Sequence, residues 1–529
     1  MPTLPEELLA LIIEQLASPN VFVVDEQLEE LYEQQKRDER SRMISDHSAR
    51  ISTLRNLCLA SNSMHRLAWP VLYRDFHNRR LRDVNGSDHT AYETPTRRLL
   101  RTICLTPHYG HALRNLLIKA WVPIDAMRGD EVLRLLQCDA TVSAIFQWRT
   151  RGYWFENGAF LDSWHRALSL GHEDGLVTLL LVMCPNIREL EMEPPIDFRQ
   201  SLFTNLLEIV HRESFEKKPC PAMVHDVEED EADYMVAQMF GVPWPDQKLQ
   251  KPPFLHSLSK LTLWSPGLEN LPSETIVQIL TLPSLISFEA WGINSKYRYE
   301  PFFERQSNLR SLELHCSVGT AELKGIFAIC PKLEELALTW EHFDNDPDFH
   351  LDYSEIAHTL ALRTPDLRKL TLDANQLWYD TGAGWEPLSR QPILRQLDYL
   401  KKLEHLTLDT RAIYGPEYQN DGSCVAENVP KRVTNLTLVS PEYDRDDDML
   451  DAYLDRQDVD LVALLQDSTF DRLSSVYRKG RAKMLPRDRA TAEKHGWEIQ
   501  PRVPDEESMR LVNASRLRTE PASSTTHTT

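Results

Sequence analysis

A short phrase recurs through the body of the chain and restricts its fold more than any other feature. It reads CPNIRELEM, LHSLSKLTL, LPSLISFEA, QSNLRSLEL, CPKLEELAL, TPDLRKLTL, LKKLEHLTL and VPKRVTNLTL. Each copy sets apolar residues in an LxxLxL frame that opens at Ile187, Leu258, Leu285, Leu309, Leu333, Leu367, Leu403 or Val433. HALRNLLIK is a weaker early copy at Leu113, and FDRLSSVY a weaker late one at Leu473. From Leu258 to Val433 the openings lie 27, 24, 24, 34, 36 and 30 residues apart. Several copies follow a helical pattern, as in DGLVTLLLVMCPN, SETIVQILTLPSL, AELKGIFAICPKL and YSEIAHTLALRTPDL. The unit is therefore helix, turn and short strand. One such unit cannot bury its own apolar face, so neighbouring units must stack to share a core.

This phrase resembles an irregular leucine-rich repeat, whose period is about 20–29 residues. The resemblance implies an α/β repeat solenoid over residues 78–500, with parallel strands inside and helices outside. The Asn or Cys that usually closes each repeat turn is not regular here. Two spans break the rhythm. Residues 194–253, with EKKPCPAMVHDVEEDEADY and GVPWPDQKLQKPP, read as a charged, proline-rich insertion or partly disordered loop. Residues 441–460, PEYDRDDDMLDAYLDRQDVD, read as a second, acidic one. Residues 501–529, ending PASSTTHTT, are expected to be a disordered tail.

The N-terminus follows another pattern. In MPTLPEELLALIIEQL, Thr3 and Glu6 fit a capping box, with Pro5 in the first helical turn. Leu8, Leu9, Ile12, Ile13 and Leu16 recur at helical spacing to form one broad apolar face, and Leu11 lies off it. A helix this apolar needs a cover. Residues 20–50 include the charged run DEQLEELYEQQKRDERSRM, expected to be a solvated helix or insertion. Residues 53–76, TLRNLCLASNSMHRLAWPVLYRDF, support two short helices, with Pro70 punctuating the second.

LPEELLALIIEQL and LRNLCLASNSMHRLA resemble the two halves of an F-box. The matching positions are Leu4, Pro5, Glu7, Leu8, Ile12, Leu16, Leu54, Leu57, Leu59, Ser61 and Leu67, and WPVLYRDF is similar to the closing segment. Ala60 stands in place of the usual Val and Met64 where Trp is common, and the charged run interrupts the motif. The resemblance implies a helical domain over residues 1–77 that docks on the Skp-type adaptor of a cullin-RING ubiquitin ligase. It places Leu4, Pro5, Leu8, Ile12, Leu16, Leu54 and Leu57 at or under the adaptor interface. The chain would then be the substrate-recognition subunit of an SCF-type ligase, cytoplasmic or nuclear, with ubiquitin supplied by a separate conjugating enzyme. The alternative is a repeat scaffold that never joins a ligase.

Charge and motif content limit other functions. The chain carries 59 basic against 80 acidic residues, a net charge of −21, which disfavours a broad nucleic-acid-binding face. The opening stretch lacks a basic leader and is too short and too charged to span a bilayer, so neither export nor a membrane partner is expected. The eight cysteines are scattered without a CxxC pair, as reduced thiols are. No phosphate-binding, dinucleotide, zinc-protease or nucleophile-elbow motif occurs, so no catalytic residue, metal site or cofactor is assigned. DRDDDMLD lacks the glycine and terminal glutamate of a calcium loop, and the histidines of HYGH have no ligand companion close by.

In an LxxLxL strand the residues between the leucines point to the opposite face. The position after the last apolar residue reads Glu193, Trp264, Trp291, His315, Thr339, Asp373, Asp409 and Val439. Trp264, Trp291, His315, Asp373 and Asp409 are accordingly the candidate contacts to a protein substrate.

Overall fold

The computed structural model describes residues 5–16, 49–78, 95–106, 108–118, 173–193, 202–215, 255–264, 273–294, 306–340, 351–374, 394–414, 425–439, 459–479, 486–495, 497–501 and 509–513. They belong to two compact units: Met1–Trp264 with Leu282–Ser284, and Ser265–Thr281 with Leu285–Thr529. Leu4 and most of the spans expected as insertions lie outside the described residues.

The first unit opens with three helices: α1 (Glu6–Gln15), α2 (residues 49–60) and α3 (Asn62–Leu72). The N-cap of α1 is Pro5 with no side-chain cap, and Glu6 pairs with Arg66 of α3 at 2.6 Å; Thr3 of the expected capping box lies outside the described residues. Ser61 breaks α2 from α3. Its backbone is extended (φ −165°, ψ 161°), and its hydroxyl accepts from the Met64 N–H at 3.2 Å. That satisfies one of the donors a helix start leaves open. Pro70 has no N–H to give the helix, and α3 ends within the same turn, at Leu72.

From there the chain enters a parallel sheet. Strand β1 (Asp75–Asn78) pairs with β2 (Asn115–Ile118), β2 with β3 (Glu189–Met192), and β3 with β4 (Lys260–Trp264). The expected helical domain to residue 77 thus gives way to sheet already at Asp75. Between strands run α4 (Pro95–Leu105), α5 (His108–Ala112), α6 (Glu173–Met183) and α7 (Leu202–Phe215).

Helix α7 falls within the span 194–253 that breaks the repeat rhythm. Leu202, Phe203, Leu206, Leu207 and Val210 fall at helical spacing on one side and are all buried. Asp174 of α6 accepts from the Leu202 N–H at 2.6 Å, so another helix satisfies one of the donors that the start of α7 leaves open.

The second unit continues the alternation. Its strands are β5 (Ser287–Asn294), β6 (Ser311–Ser317), β7 (Glu335–Trp340), β8 (Lys369–Asp373), β9 (His405–Asp409), β10 (Asn435–Val439) and β11 (Ser475–Lys479). Each pairs in parallel with the next. Helices α8 (Ser273–Leu280), α9 (Thr320–Ile329) and α10 (Tyr353–Arg363) and the 3-10 turn Leu394–Tyr399 fill successive connections. The architecture within each unit is that of an α/β solenoid.

Every residue that opens a repeat phrase is buried: Leu113, Ile187, Leu258, Leu285, Leu309, Leu333, Leu367, Leu403, Val433 and Leu473. The main chain explains the regularity. The N–H one residue after each opening leucine donates to the matching carbonyl one repeat back: Glu334 to Arg310, Arg368 to Glu334, Glu404 to Arg368, Thr434 to Glu404 and Ser474 to Thr434, each at 2.7–2.8 Å. Backbone groups at the turn are thereby satisfied without the regular Asn or Cys of a stricter repeat.

The C-terminal end departs from the parallel pattern. Strand β13 (Met509–Asn513) runs antiparallel to β11 and to β12 (Trp497–Pro501). A strand at 509–513 corrects the expectation that the whole span from 501 is a tail. Trp497 is buried there, consistent with a closing element that shields the last repeat.

Candidate functional site

Two surfaces carry the sequence-predicted site residues. The first is the helical cluster at the N-terminus. Ile13, Leu54 and Ala68 form its buried centre, with Leu16, Leu57, Cys58, Met64, Leu67, Val71 and Leu72 packed around them. Arg66–Glu6 bridges α3 to α1, and Arg74, in the turn between α3 and β1, meets Glu14 of α1. Exposed pairs of this kind contribute at most about 1 kcal/mol each. Their effect is mainly to orient α1.

That orientation splits the apolar residues of α1 between two faces. Ile13 is 2% exposed, whereas Leu8, Leu11 and Ile12 are 46%, 60% and 52% exposed. Residues 8, 11 and 12 stand one helical turn apart on one side. Leu11 therefore belongs with Leu8 and Ile12 rather than lying off the stripe, and Ile13 leaves it. Pro5 is exposed, Leu16 and Leu57 are half-buried, and Leu54 is buried beneath. Of the positions expected at an adaptor interface, Leu8 and Ile12 lie on the surface and Leu54 in the support under it. Leu59 of α2 is a further exposed apolar side chain.

The cluster is joined to the first repeat by aromatic packing. Tyr73 stacks on Tyr109 with centroids 4.3 Å apart and planes 10° apart, and Trp69 meets His108 edge-on at 4.8 Å. His108 of HYGH is thus a packing residue. Between the two histidines, Gly110 is held against the Met183 carbonyl, where a Cβ would come within 2.5 Å.

The second surface is the face of the sheet opposite the buried leucines. In the first unit this face is covered: Leu117, Glu191 and Thr262, the middle positions of β2, β3 and β4, are all buried. In the second unit it is reachable. Glu335, Lys369 and His405 are exposed, and Glu289, Glu313, Ala337, Thr371, Thr407 and Thr437 are half-buried. Parallel sheets are ordinarily covered on both sides. A face left accessible and lined by Glu, Thr, Lys and His is a surface that other molecules can meet.

At one edge of this row Trp291 and His315 are register partners on β5 and β6, and their rings stack with centroids 3.4 Å apart and planes 8° apart. The register shifts directly after Trp291, at Gly292, whose φ of 81° only glycine adopts without strain. Each ring is held from below on its own strand. The Trp291 Nε1–H donates to Glu289 Oε1 at 2.9 Å, and His315 Nε2 lies 3.1 Å from Glu313 Oε1. Thr339 and then Asp373 continue the same row on β7 and β8.

The structure therefore brings Trp291 and His315 together, with Asp373 two strands further along, but His315 is buried at 8% exposure, so of the pair only the half-buried Trp291 is open to a partner. Trp264 is half-buried on β4 of the first unit. Asp409 is fully buried, so it is not a surface contact. Sequence spacing had missed Glu289, Glu313 and Ala337. They belong to the middle row of the face, one pleat away from the row that the LxxLxL frame points out.

Among the described residues, no group of three or more His, Cys, Asp or Glu side chains could hold a metal ion, and no helix is long and apolar enough to cross a membrane. Cys58, Cys184, Cys316 and Cys330 form no disulfide, and burial pushes the Cys330 thiol up to about 12. No family model and no curated protein matches the chain.

Proposed function

We propose that this chain is the substrate-recognition adaptor of an SCF-type ubiquitin ligase, with the N-terminal helices binding a Skp-type adaptor and the solenoid binding the protein to be modified. The observation that carries the reading is the division of α1. Ile13 anchors the helix to its own small core, while Leu8, Leu11 and Ile12 remain on the outside. Three large aliphatic side chains at helical spacing on a charged, soluble chain are the kind of surface that a partner helix covers. The accessible, polar sheet face of the second unit supplies the other half of the reading.

The test is a pull-down with purified full-length protein and a Skp-type adaptor. The double variant Leu8→Asp, Ile12→Asp is expected to lose the adaptor while keeping the circular dichroism of the wild type, since both side chains are exposed. A folded double variant that still retains the adaptor would sink the proposal. Wild-type protein that binds no Skp-type adaptor would instead favour a repeat scaffold outside any ligase.

A further inference from the structure

The turns that lead into β9 and β10 carry a charge pattern that the preceding repeats lack. The two positions before the opening residue read Ser307-Asn308, Pro331-Lys332 and Pro365-Asp366 ahead of β6, β7 and β8. Ahead of β9 and β10 they read Lys401-Lys402 and Lys431-Arg432. These two strands pair in register, and the Thr434 N–H donates to the Glu404 carbonyl across the turn, so the basic dipeptides lie side by side. Their separation is one strand spacing, about 4.8 Å. The next turn adds Arg472. On residues 398–404, 430–434 and 470–474, five basic residues stand against three acidic ones (Asp398, Glu404 and Asp471), in a chain whose totals are 59 and 80.

The preceding repeats neutralise such charges on the spot. Arg310 pairs with Glu334 at 3.0 Å, and Lys332 donates to Asn308 Oδ1 at 2.8 Å. From β9 onward the neutralisation is incomplete. Lys402 reaches back to Asp366 at 2.5 Å, Arg432 donates to the Lys401 carbonyl at 2.6 Å, and Lys431 lies within electrostatic reach of Asp467. Among the described residues, the Lys401 ammonium and the Arg472 guanidinium have no hydrogen bond or ion pair, and both residues are exposed. Apolar surface adjoins them. Tyr399, two residues before Lys401, is 71% exposed. Leu362, near the end of the α10 that packs against the Leu394–Tyr399 turn, is 66% exposed. Tyrosine and arginine are residue types in which binding energy concentrates at protein interfaces.

We propose that this edge of the second unit docks a short acidic segment of another protein, with carboxylates on Lys401, Lys431 and Arg472 and an apolar residue on Tyr399 and Leu362. The proposal goes beyond the adaptor reading, whose residues lie in the first unit. Charge complementarity and its range select the occupant. At physiological salt a charge is felt over about 8 Å, less than two strand spacings. A short segment therefore meets the basic turns alone. A nucleic acid or an anionic bilayer extends well past them and faces a chain of net −21, which repels it overall. The exposed tyrosine and leucine favour a segment that carries a large hydrophobic residue among its acids.

The probe is a fluorescein-labelled peptide of alternating aspartate and serine with one central leucine, titrated by anisotropy against the full-length protein. Its counterparts carry asparagine for aspartate, or serine for the leucine. The wild type is expected to bind the aspartate peptide at least about tenfold more tightly than the asparagine peptide, with an affinity that falls as salt rises. Lys401→Gln with Lys431→Gln should remove most of that preference while keeping wild-type circular dichroism, since both residues are exposed. Tyr399→Ser should abolish the advantage of the leucine peptide over its serine counterpart. Arg188→Gln with Lys494→Gln removes two exposed cations elsewhere and should leave binding unchanged. Oligothymidine and phosphatidylserine vesicles, titrated in the same buffer, are expected to bind more weakly than the aspartate peptide. Equal affinity for the aspartate and asparagine peptides, an equal loss in the Arg188/Lys494 control, or tighter binding of either polyanion through Lys401 and Lys431 overturns the inference.

Discussion

Ser307 offers a quantitative check on how one repeat is locked to the next. Its side chain is 1% exposed, and its hydroxyl donates to the Leu280 carbonyl at the end of α8 and accepts from the Leu309 N–H at 3.0 Å. Its own N–H donates to the Ile329 carbonyl of α9 at 2.8 Å, and the hydroxyl also meets the Cys330 thiol. One small residue therefore ties together a helix end, the approach to β6 and the following helix. Ser307→Ala leaves the main-chain bond intact but takes a partner from both Leu280 and Leu309. Leaving a buried polar group unsatisfied costs about 1–3 kcal/mol, so the variant should lose roughly 2–5 kcal/mol. Ser259→Ala is the control. Its hydroxyl also meets a carbonyl, that of Arg188 at 3.0 Å, but on an accessible surface, and the loss there should stay near ~0.5 kcal/mol.

Because the chain holds two compact units, a single global midpoint is a poor measure. Hydrogen exchange followed by mass spectrometry reads the unit concerned. Ser307→Ala should raise exchange across 273–280 and 306–316 and leave the strands of the first unit unchanged. Protection equal to wild type in both segments, with no shift in urea sensitivity, would refute the argument that this hydroxyl couples neighbouring repeats.

Two further outcomes follow from packing and charge. Gly110→Ala would set a Cβ 2.5 Å from the Met183 carbonyl and 3.1 Å from Ile103 Cγ2, so α5 must shift. A loss of about 1–3 kcal/mol is expected, visible as earlier thermal unfolding of the first unit and loosening of the Tyr73–Tyr109 stack in the near-ultraviolet spectrum. Asp174 is buried in α6, and that burial pushes its carboxyl up to about 6 from 3.8, against the two backbone N–H groups of Leu202 and Phe203 that favour the charged form. A raised carboxyl pKa means that the folded state holds the proton more tightly than the unfolded chain does. This group's cost is therefore absent below about pH 4, grows between pH 4 and 6, and is complete above, at roughly 3 kcal/mol. Asp174→Asn keeps an acceptor for the Leu202 N–H without the charge. Its stability relative to wild type should rise by that amount between pH 4 and 7, measured by urea unfolding at both; a pH-independent difference contradicts the assignment.

The LxxLxL phrases specify their own strands because the pattern is local. A leucine at the first, fourth and sixth positions can be buried only one way once its neighbours repeat the same spacing, and the buried row from Leu113 to Leu473 follows. The break at Ser61 was equally legible, since a serine before a new apolar period is a helix start by its own hydrogen bonding.

Other features depend on residues far apart in the chain. Helix α7 hides within a charged stretch and takes its cap from Asp174, 28 residues upstream. Leu11 and Ile13 look alike in the sequence, and only the contact of α1 with α2 and α3 decides that one is exposed and the other buried. The same holds for the sheet. The alternation of a strand places Glu191 and Glu313 on equivalent positions, yet the first is covered and the second reachable, because what lies over a face is contributed by other parts of the chain. The sequence by itself determined the repeat, its strands and its inward leucines, which rest on periodicity within a few residues. Which apolar residues of α1 stay outside and which sheet face remains accessible were decided only by tertiary packing, which brings those groups together from distant points of the chain.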